Sequence, residues 1–422
     1  MSKTGPSNPH VAIDVAVIGA GPAGLMAAEY LAARGRRVRI YDRMPSPGRK
    51  FLMAGRGGLN LTHSEPLPQF LTRYTDLPDQ LRAAIETFPP DALRAWCEGL
   101  GETTFVGSSG RVFPRSFKAS PLLRAWLRRL DQLGVEFFLR HSWRGFTKDG
   151  GLSFDSGQGA VDIRADAVLL ALGGASWPRL GADGAWTDIL AGNAVGITPL
   201  QPANSGFLMH WSPLFTERFA GTPLKTCQFT MGSKSVRGEA IITAQGMEGS
   251  AIYALSAALR AQIAHAGAAE LTIDLKPDLS VEILAARFAA QKAKQSMASK
   301  LRKLGLPPVA IALLREVAGT QWPGGAQALA QLIKTLPLHV TGSAGLARAI
   351  STAGGIAFDE LEADFMLRRL PGIFAAGVML DWDAPTGGYL LQASMATGVA
   401  AARGIDARLE AGQARRAGTV NS

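Results

Sequence analysis

Cysteine is scarce in this 422-residue chain, with Cys97 and Cys227 standing far apart. No CxxC occurs, so neither a redox dithiol nor a zinc knuckle has its residues, and low cysteine use fits a reducing compartment. Histidine is sparse too. Its six copies are scattered, without HExxH or any paired-ligand pattern, so no metal site is predicted. Long apolar runs are missing, and none is long enough to span a bilayer. The polar stretch Met1 to His10 carries two prolines and no apolar signal core. These absences predict a cytoplasmic protein without a membrane partner. Acidic residues are in deficit: 44 Lys and Arg against 34 Asp and Glu give a formal net charge of +10. That balance is compatible with nucleic acid or an acidic substrate, but solubility is its commoner explanation. No internal repeat is evident.

What is present begins at Val15-Ala16-Val17-Ile18. This β-branched run stops at three glycines, Gly19, Gly21 and Gly24, spaced G-x-G-x-x-G. A helical pattern follows, with Leu25, Ala28 and Ala32 on one face, and ends at Gly35. A second apolar run, Val38 to Tyr41, leads into Asp42. Strand, glycine turn, helix, strand and acid make the order of a dinucleotide-binding βαβ unit. Gly19 permits the tight turn, Gly21 lets backbone approach a pyrophosphate, and Gly24 lets helix and strand pack closely. The helix start directs N–H groups and its positive dipole end at the phosphates. Asp42 is placed to accept hydrogen bonds from ribose hydroxyls, and its charge disfavours a 2′-phosphate there.

After Asp42 comes a basic, glycine-rich loop carrying Arg49, Lys50 and Arg56, then Gly55, Gly57, Gly58 and Asn60. Its cations suit a pyrophosphate or an anionic ring, and its glycines suit close approach to a ligand. Residues 67–133 read as helical, interrupted at 101–105, where a short strand fits, and at 110–114. A strand is expected over 135–139, then a hairpin around Asp149-Gly150-Gly151. A buried strand over 166–172 ends on Gly173-Gly174, and Ala171 and Gly173 join the cofactor contacts.

Past Leu200 the character changes. Residues 204–275 show short β-like runs, expected to form a separate β domain. Residues 278–334 are helical and Ala/Leu-rich. They include a basic run of Arg287, Lys292, Lys294, Lys300, Arg302 and Lys303, read first as a solvated helix surface and second as an electrostatic binding face. Leu336 to Thr341 reads as a strand returning to the β domain. The chain then regains its earlier style. A strand ends on Gly377, and Asp381 to Tyr389 leads into a helix over 390–403. This is a second glycine-rich helix start, suited to negative charge on a reduced flavin.

Two such starts at opposite ends of one chain call for a long cofactor. FAD fits, with its ADP half on the first and its isoalloxazine on the second. The expected layout is therefore a discontinuous FAD-binding domain (11–200 and 345–408). Into it are inserted a β domain (201–277 and 335–344) and a helical domain (278–334), with tails at 1–10 and 409–422.

At this point the chain resembles the HI0933-like bacterial flavoproteins, also described as BaiN-like or aminoacetone-oxidase-type. The stretches that carry the resemblance are VAVIGAGPAGLMAAEYLAARG, PGRKFLMAGRGGLNLTHSE, ADAVLLALGGASWPRLGADG, ISTAGGIAFDEL and LPGIFAAGVMLDWDAPTGGYLLQASMATG. The resemblance implies a Rossmann-like α/β FAD-binding domain of the glutathione-reductase class, with inserted β-barrel-like and small helical domains. It implies that Gly19, Gly21, Pro22, Ala23 and Gly24 hold the pyrophosphate and that Asp42, with Arg43 beside it, takes the adenosine ribose. Arg49, Lys50, Gly57, Gly58, Asn60 and Thr62 would line the flavin side. Gly377, Gly387, Gly388, Tyr389 and Leu390 would surround the ribityl chain and ring, with Asp381 a candidate for a hydroxyl contact. Val378, Leu59 and Leu390 stand where many members carry an acid, Cys and Asn, which marks a divergent subgroup.

The expected activity is hydride or electron transfer through flavin N5 to or from a small organic substrate, at the junction of FAD-binding and inserted domains. No second G-x-G-x-x-G is visible, so NAD(P)H is expected only as a transient reductant. His63 lies in the basic loop, but a lone histidine is more often structural, and no catalytic acid or base is assigned. Two alternatives stand beside this reading. One is an RNA-modifying or RNA-binding flavoprotein, motivated by the basic balance. The other is a flavin-binding sensor or electron carrier without turnover.

Overall fold

The apolar run at the N-terminus forms strand β1 (Val15–Ile18), whose four side chains are all buried. A strand covered on both faces must be apolar throughout, which is why the run lacks alternation. The computed structural model describes residues 13–319 and 321–420. The expected tail at 1–10 lies outside them, as do the last two residues of the expected C-terminal tail.

After β1 come α1 (Pro22–Ala32), β2 (Val38–Asp42), α2 (Arg49–Ala54) and the short β3 (Thr62–His63). Helices α3 (Leu67–Leu71), α4 (Asp79–Thr87) and α5 (Pro90–Gly99) follow, then the hairpin of β4 (Thr104–Val106) and β5 (Arg111–Pro114). Both expected interruptions of the helical stretch are thus strands. Helix α6 (Ala119–Gln132) then leads into β6 (Glu136–Leu139).

Five strands make one parallel sheet in the order Ile373–Ala375, Ala167–Leu170, β1, β2, β6. Its register pairs Ile18 with both Leu170 and Tyr41, Leu170 with Ala375, and Asp42 with Leu139. The carboxyl ends of the strands therefore share one edge. The Gly19–Gly24 turn, Asp42, Ala171–Gly173 and Gly377 all leave the sheet there, at the edge where ligands bind in open α/β sheets.

The C-terminal helix, Tyr389–Val420, lies along α1. It begins where expected and runs well beyond 403, so residues 409–420, expected as tail, continue it. The physical reason is composition: no proline follows Pro385, and Ala, Arg, Leu, Glu and Gln are good helix formers. Asp406 ties the helix to the α1–β2 connection by accepting from Arg36 Nε at 2.6 Å. Among the described residues no helix is long and apolar enough to cross a membrane.

One compact unit runs to Gln201 and resumes at Thr352, and the second is Pro202–Ser351. The second unit carries a seven-stranded antiparallel sheet. Its edge strands, Leu336–Val340 and Gly342–Ser343, are separated in the chain by Thr341 alone. In a flat sheet those edges would lie about 29 Å apart, at roughly 4.8 Å per strand. The two backbone steps from Val340 to Gly342 span at most about 7 Å, so the sheet must curl on itself as a barrel does.

Two expectations need correction in this unit. Residues 204–275 are not only β-like, since Pro213–Phe219, Ser250–Ala254 and Ser256–Ala266 are helices. Ser256–Ala266 is Ala-rich, and so carries little apolar periodicity to read. The basic run is not one helix either. Arg287 ends Val281–Ala289, Lys292 and Lys294 lie in a turn, and Lys300, Arg302 and Lys303 belong to Met297–Lys303. Ser296 starts that second helix, its side chain accepting from Ser299 N at 3.3 Å. These helices share one apolar core with the sheet, through Leu284, Leu301, Leu313, Phe229 and Leu271.

The contact between α1 and the C-terminal helix depends on Gly398, where a β-carbon would overlap the Ala23 carbonyl. Gly398→Ala should therefore destabilise the protein by about 1–3 kcal/mol in urea denaturation. Gly412→Ala, on the same helix with nothing within 4 Å of the added carbon, should stabilise it by roughly 0.5–1 kcal/mol. Equal effects at the two positions would contradict this packing.

Candidate functional site

The turn after β1 is held from several sides. Gly19 N donates to Tyr41 O at 2.8 Å, and Ala171 N donates to Ile18 O at 2.8 Å. Gly19 has φ +111, and a β-carbon there would strike the carbonyl of Ala171. A β-carbon on Gly24 would strike Gly19 O and lie 3.1 Å from Val17 Cγ1. Only glycine lets helix and strand meet so closely. Gly21, by contrast, has nothing within 4 Å of where its β-carbon would be. It caps α1 without a side-chain hydrogen bond, and Pro22 follows at the first helical position. The first turn of α1, including Ala23, thus presents backbone N–H groups at the sheet's ligand edge, as anion binding requires.

Asp42 has a structural task the sequence did not reveal. Its Oδ2 accepts from Ala20 N at 2.7 Å and its Oδ1 from Met44 N at 2.7 Å. Burial raises the Asp42 carboxyl above its ordinary range, against the pull of those two N–H groups. Each oxygen keeps a second lone pair, which is what a ribose hydroxyl would use. Neighbouring Arg43 is ion-paired to Asp183.

The basic loop and the C-terminal helix start meet directly. Gly388 has φ +98, and a β-carbon there would lie 2.5 Å from Thr62 Cα. Along this basic loop the structure buries polar atoms that have no hydrogen-bond partner among the described residues: Arg49 Nε at the start of α2, and Asn60 Oδ1 and Thr62 Oγ1 on the segment that Gly388 meets. Thr62 is fully buried. Buried polar groups are paired in most native structures, so the two orphans on Asn60 and Thr62, with Arg49 earlier in the same loop, are what a bound ligand would satisfy. They belong to residues the sequence assigns to the flavin side. Gly57 has nothing within 4 Å of an added β-carbon, whereas Gly58 is covered by the Phe117 ring.

Lys50 is largely enclosed, and its Nζ donates to Ser176 Oγ at 2.9 Å. Among the described residues no carboxylate pairs with it. Desolvation pushes its ammonium down to about 8. Ser176 is held in turn, since Ala175 N and Ser176 N both donate to Thr352 Oγ1, at 2.9 and 3.1 Å. Gly173 closes the strand before this loop, and its carbonyl accepts from Trp186 Nε1 at 2.9 Å. Ser176 and Thr352, which hold the loop beside Lys50, are positions that sequence reasoning missed. No local pattern marks them, because their partners lie 126 and 176 residues away.

On the C-terminal side, Gly377 N donates to Thr397 Oγ1 at 3.0 Å and its carbonyl accepts from Trp382 Nε1 at 2.9 Å. Asp381 accepts from Thr198 Oγ1 at 2.6 Å. Leu390 O accepts from Ser394 Oγ at 2.7 Å. Gly387, with φ +138, lies under the Tyr389 ring. That ring packs against Phe70 at 4.8 Å and His63 at 5.6 Å, and its hydroxyl donates to Glu65 Oε1 at 2.6 Å. Tyr389 therefore anchors the helix start with its side chain, and its carbonyl accepts from the Tyr74 hydroxyl at 2.8 Å, so it is its backbone N–H that can face a ligand. Burial would raise the Glu65 carboxyl, but hydrogen bonds from Arg73 and Tyr389 hold it below its ordinary range. Both nitrogens of His63 are engaged: Nδ1 accepts from Glu65 N at 3.2 Å, and Nε2 donates to Ser109 O at 3.0 Å. His63 is a structural histidine.

The Lys50 geometry has a consequence for stability. With its folded value near 8 and its unfolded value in the ordinary lysine range, the unfolded chain binds more protons above about pH 8. Folding stability should rise with pH through that window. In flavin-free protein, the thermal midpoint of the wild type should gain on that of Lys50→Met between about pH 7.5 and 10. A gap independent of pH would contradict a desolvated, unpaired ammonium.

The HI0933-like protein Rossmann domain family model matches residues 13–404. The ribosomal RNA dihydrouridine synthase of Escherichia coli is 24% identical over 392 residues, 90% of this chain and 94% of that one. The 3-dehydro-bile acid delta(4,6)-reductase of Clostridium scindens is 25% identical over 414 residues, 92% of this chain and 98% of that one. Among solved structures, 3-ketosteroid delta1-dehydrogenase from Sterolibacterium denitrificans aligns over 94% of this chain and 100% of that one, with a TM-score of 0.51. At 13% identity that likeness shows a shared fold. With the parallel sheet, the glycine turn and the second helix start on one edge, this match places the chain in a family: it belongs to the HI0933-like FAD-binding Rossmann oxidoreductases.

Proposed function

We propose that this chain holds one FAD across its two glycine-rich helix starts and uses it to saturate a ring carbon–carbon double bond, with NADPH or NADH as reductant. The observation that carries the cofactor's placement is the pair of buried polar atoms on Asn60 and Thr62, unpartnered among the described residues on the segment that Gly388 meets, with Arg49 Nε unpartnered earlier in the same loop. A long ligand reaching from Gly21 to Gly388 gives each of them a partner. In this reading the N–H groups of Gly21, Ala23 and Gly24 take the pyrophosphate, and the remaining lone pairs of Asp42 take the adenosine ribose. Arg49, Lys50, Asn60 and Thr62 take the flavin side, and the start of the C-terminal helix takes negative charge developing there. When bound, FAD supplies two-electron transfer through its N5 position.

The direction of the reaction rests on the relatives. A dihydrouridine synthase and a delta(4,6)-reductase are both named for adding hydrogen to a ring. A single fold that presents a reduced ring to an unsaturated substrate serves both, with the substrate pocket left to vary. A second reading, in which RNA carries the ring, draws on the ribosomal RNA relative and on a net charge of +10. The exposed cations Arg287, Lys292, Lys294, Arg302 and Lys303 offer it a surface.

The test is an anaerobic absorbance experiment on the purified protein. The flavin spectrum should bleach on adding NADPH or NADH. It should return under the same conditions on adding either a small cyclic enone or a uridine-containing RNA. Return with the enone alone supports the small-molecule reading, and return with the RNA alone supports the second. A spectrum that bleaches and recovers with neither contradicts both, and leaves a carrier or sensor.

A further inference from the structure

The small sheet behind the basic loop carries a feature that the cofactor site does not use. In the β4–β5 hairpin, Phe105 and Phe113 are direct cross-strand partners, so their rings fall on one face. The rings stack at 5.7 Å with 28° between their planes. Arg111, two residues before Phe113, shares that face. The chain then turns back and lays a third ring, Phe117, over both, at 6.3 Å from Phe105 and 5.0 Å from Phe113.

Phe117 is an unusual residue. It has φ +60, a left-handed conformation that a bulky side chain rarely adopts. Its side chain is not driven there by burial, because the residue is 44% exposed. Strained, exposed residues of this kind gather at ligand sites. Its ring lies on Gly58, where a β-carbon would have to overlap it, and its carbonyl accepts from Leu59 N at 3.1 Å. The ring is thereby fastened to the loop that carries Asn60 and Thr62.

The charge around this ring is of one sign. Arg56, Arg115 and Lys118 are exposed, Arg111 is half-buried, and none of the four makes an ion pair among the described residues. No Asp or Glu occurs from Thr103 to Leu130, or from Arg43 to Ser64. An exposed aromatic face with several unneutralised cations is the chemistry that recognises a planar base carried on phosphates.

We propose that Phe117, with Arg56, Arg115 and Lys118, is the docking site for the phosphate-bearing end of a free dinucleotide reductant of the NADPH kind. The adenine packs on the exposed part of the Phe117 ring. The cations take the diphosphate and the additional ribose phosphate, which is why NADPH is favoured over NADH. The site rests on the FAD reading above, since it adjoins the loop assigned to the flavin side. It also accounts for a reductant that has no glycine fingerprint of its own, because three side chains and one ring replace the missing helix start.

The experiment is calorimetric titration of the FAD-loaded protein with NADP⁺ and NAD⁺, repeated on the double variant Arg115→Ser/Lys118→Ser and on Phe117→Leu. NADP⁺ should bind the wild type more tightly than NAD⁺. The double variant should lose about tenfold or more in NADP⁺ affinity, with flavin content and thermal midpoint unchanged. Phe117→Leu should weaken both dinucleotides. Undiminished NADP⁺ binding in the double variant, or no NADP⁺ binding by the flavin-loaded wild type, overturns the proposal while leaving the FAD reading intact. So does a single-stranded oligouridylate that binds through Arg115 and Lys118 when NADP⁺ does not. Protein that takes up no flavin overturns both readings together.

Discussion

The carboxylate of Asp42 accepts from the backbone of Ala20, and the rest of the site depends on that bond. Ala20 is the middle of the glycine turn, and its carbonyl also accepts from Gly48 N at 2.9 Å. One residue thus joins the end of β1, the end of β2 and the start of α2. The N–H groups of α1 can face a diphosphate only while that turn keeps its shape. A buried carboxylate bonded to two N–H groups is a rigid way to keep it. Its cost is a carboxyl raised by burial, which the position at a ligand edge makes tolerable.

Around this anchor the first unit closes its ligand edge with segments far apart in sequence. The C-terminal helix packs on Ala23 through Gly398, and its start rests on Thr62 through Gly388. Both contacts require a residue without a β-carbon. They explain why a second glycine-rich stretch is needed so far along the chain. The polar atoms of Asn60 and Thr62 that have no partner among the described residues lie on the segment that Gly388 meets. Lys50 adds a cation whose one hydrogen-bond partner among the described residues is the hydroxyl of Ser176. Such a group is costly in an empty protein and useful beside an anion.

Much of this was legible beforehand, for reasons that are local. β1, the glycine turn, α1 and β2 all lie between Val15 and Asp42, and each needs a residue type that leaves a visible mark. The second helix start was legible for the same reason. What was not legible depends on contacts across the chain. Nothing near Ser176 or Thr352 announces that they hold the loop beside Lys50. The partners of the two His63 ring nitrogens, Ser109 O and Glu65 N, likewise left no mark in the sequence. Tyr389 looked like a ring-side contact until Glu65 and Phe70 took its side chain. The left-handed backbone of Phe117 has no sequence signature at all, since phenylalanine is among the last residues expected there. In the second unit, Ala-rich Ser256–Ala266 hid a helix because its apolar face is faint.

The most direct test of the central claim is calorimetric titration of flavin-free protein with FAD. One FAD per chain should bind, and ADP, which shares only the half assigned to the Gly19–Gly24 turn, should compete with it. Binding of FMN in place of FAD, or of neither, would contradict a single cofactor held at both helix starts.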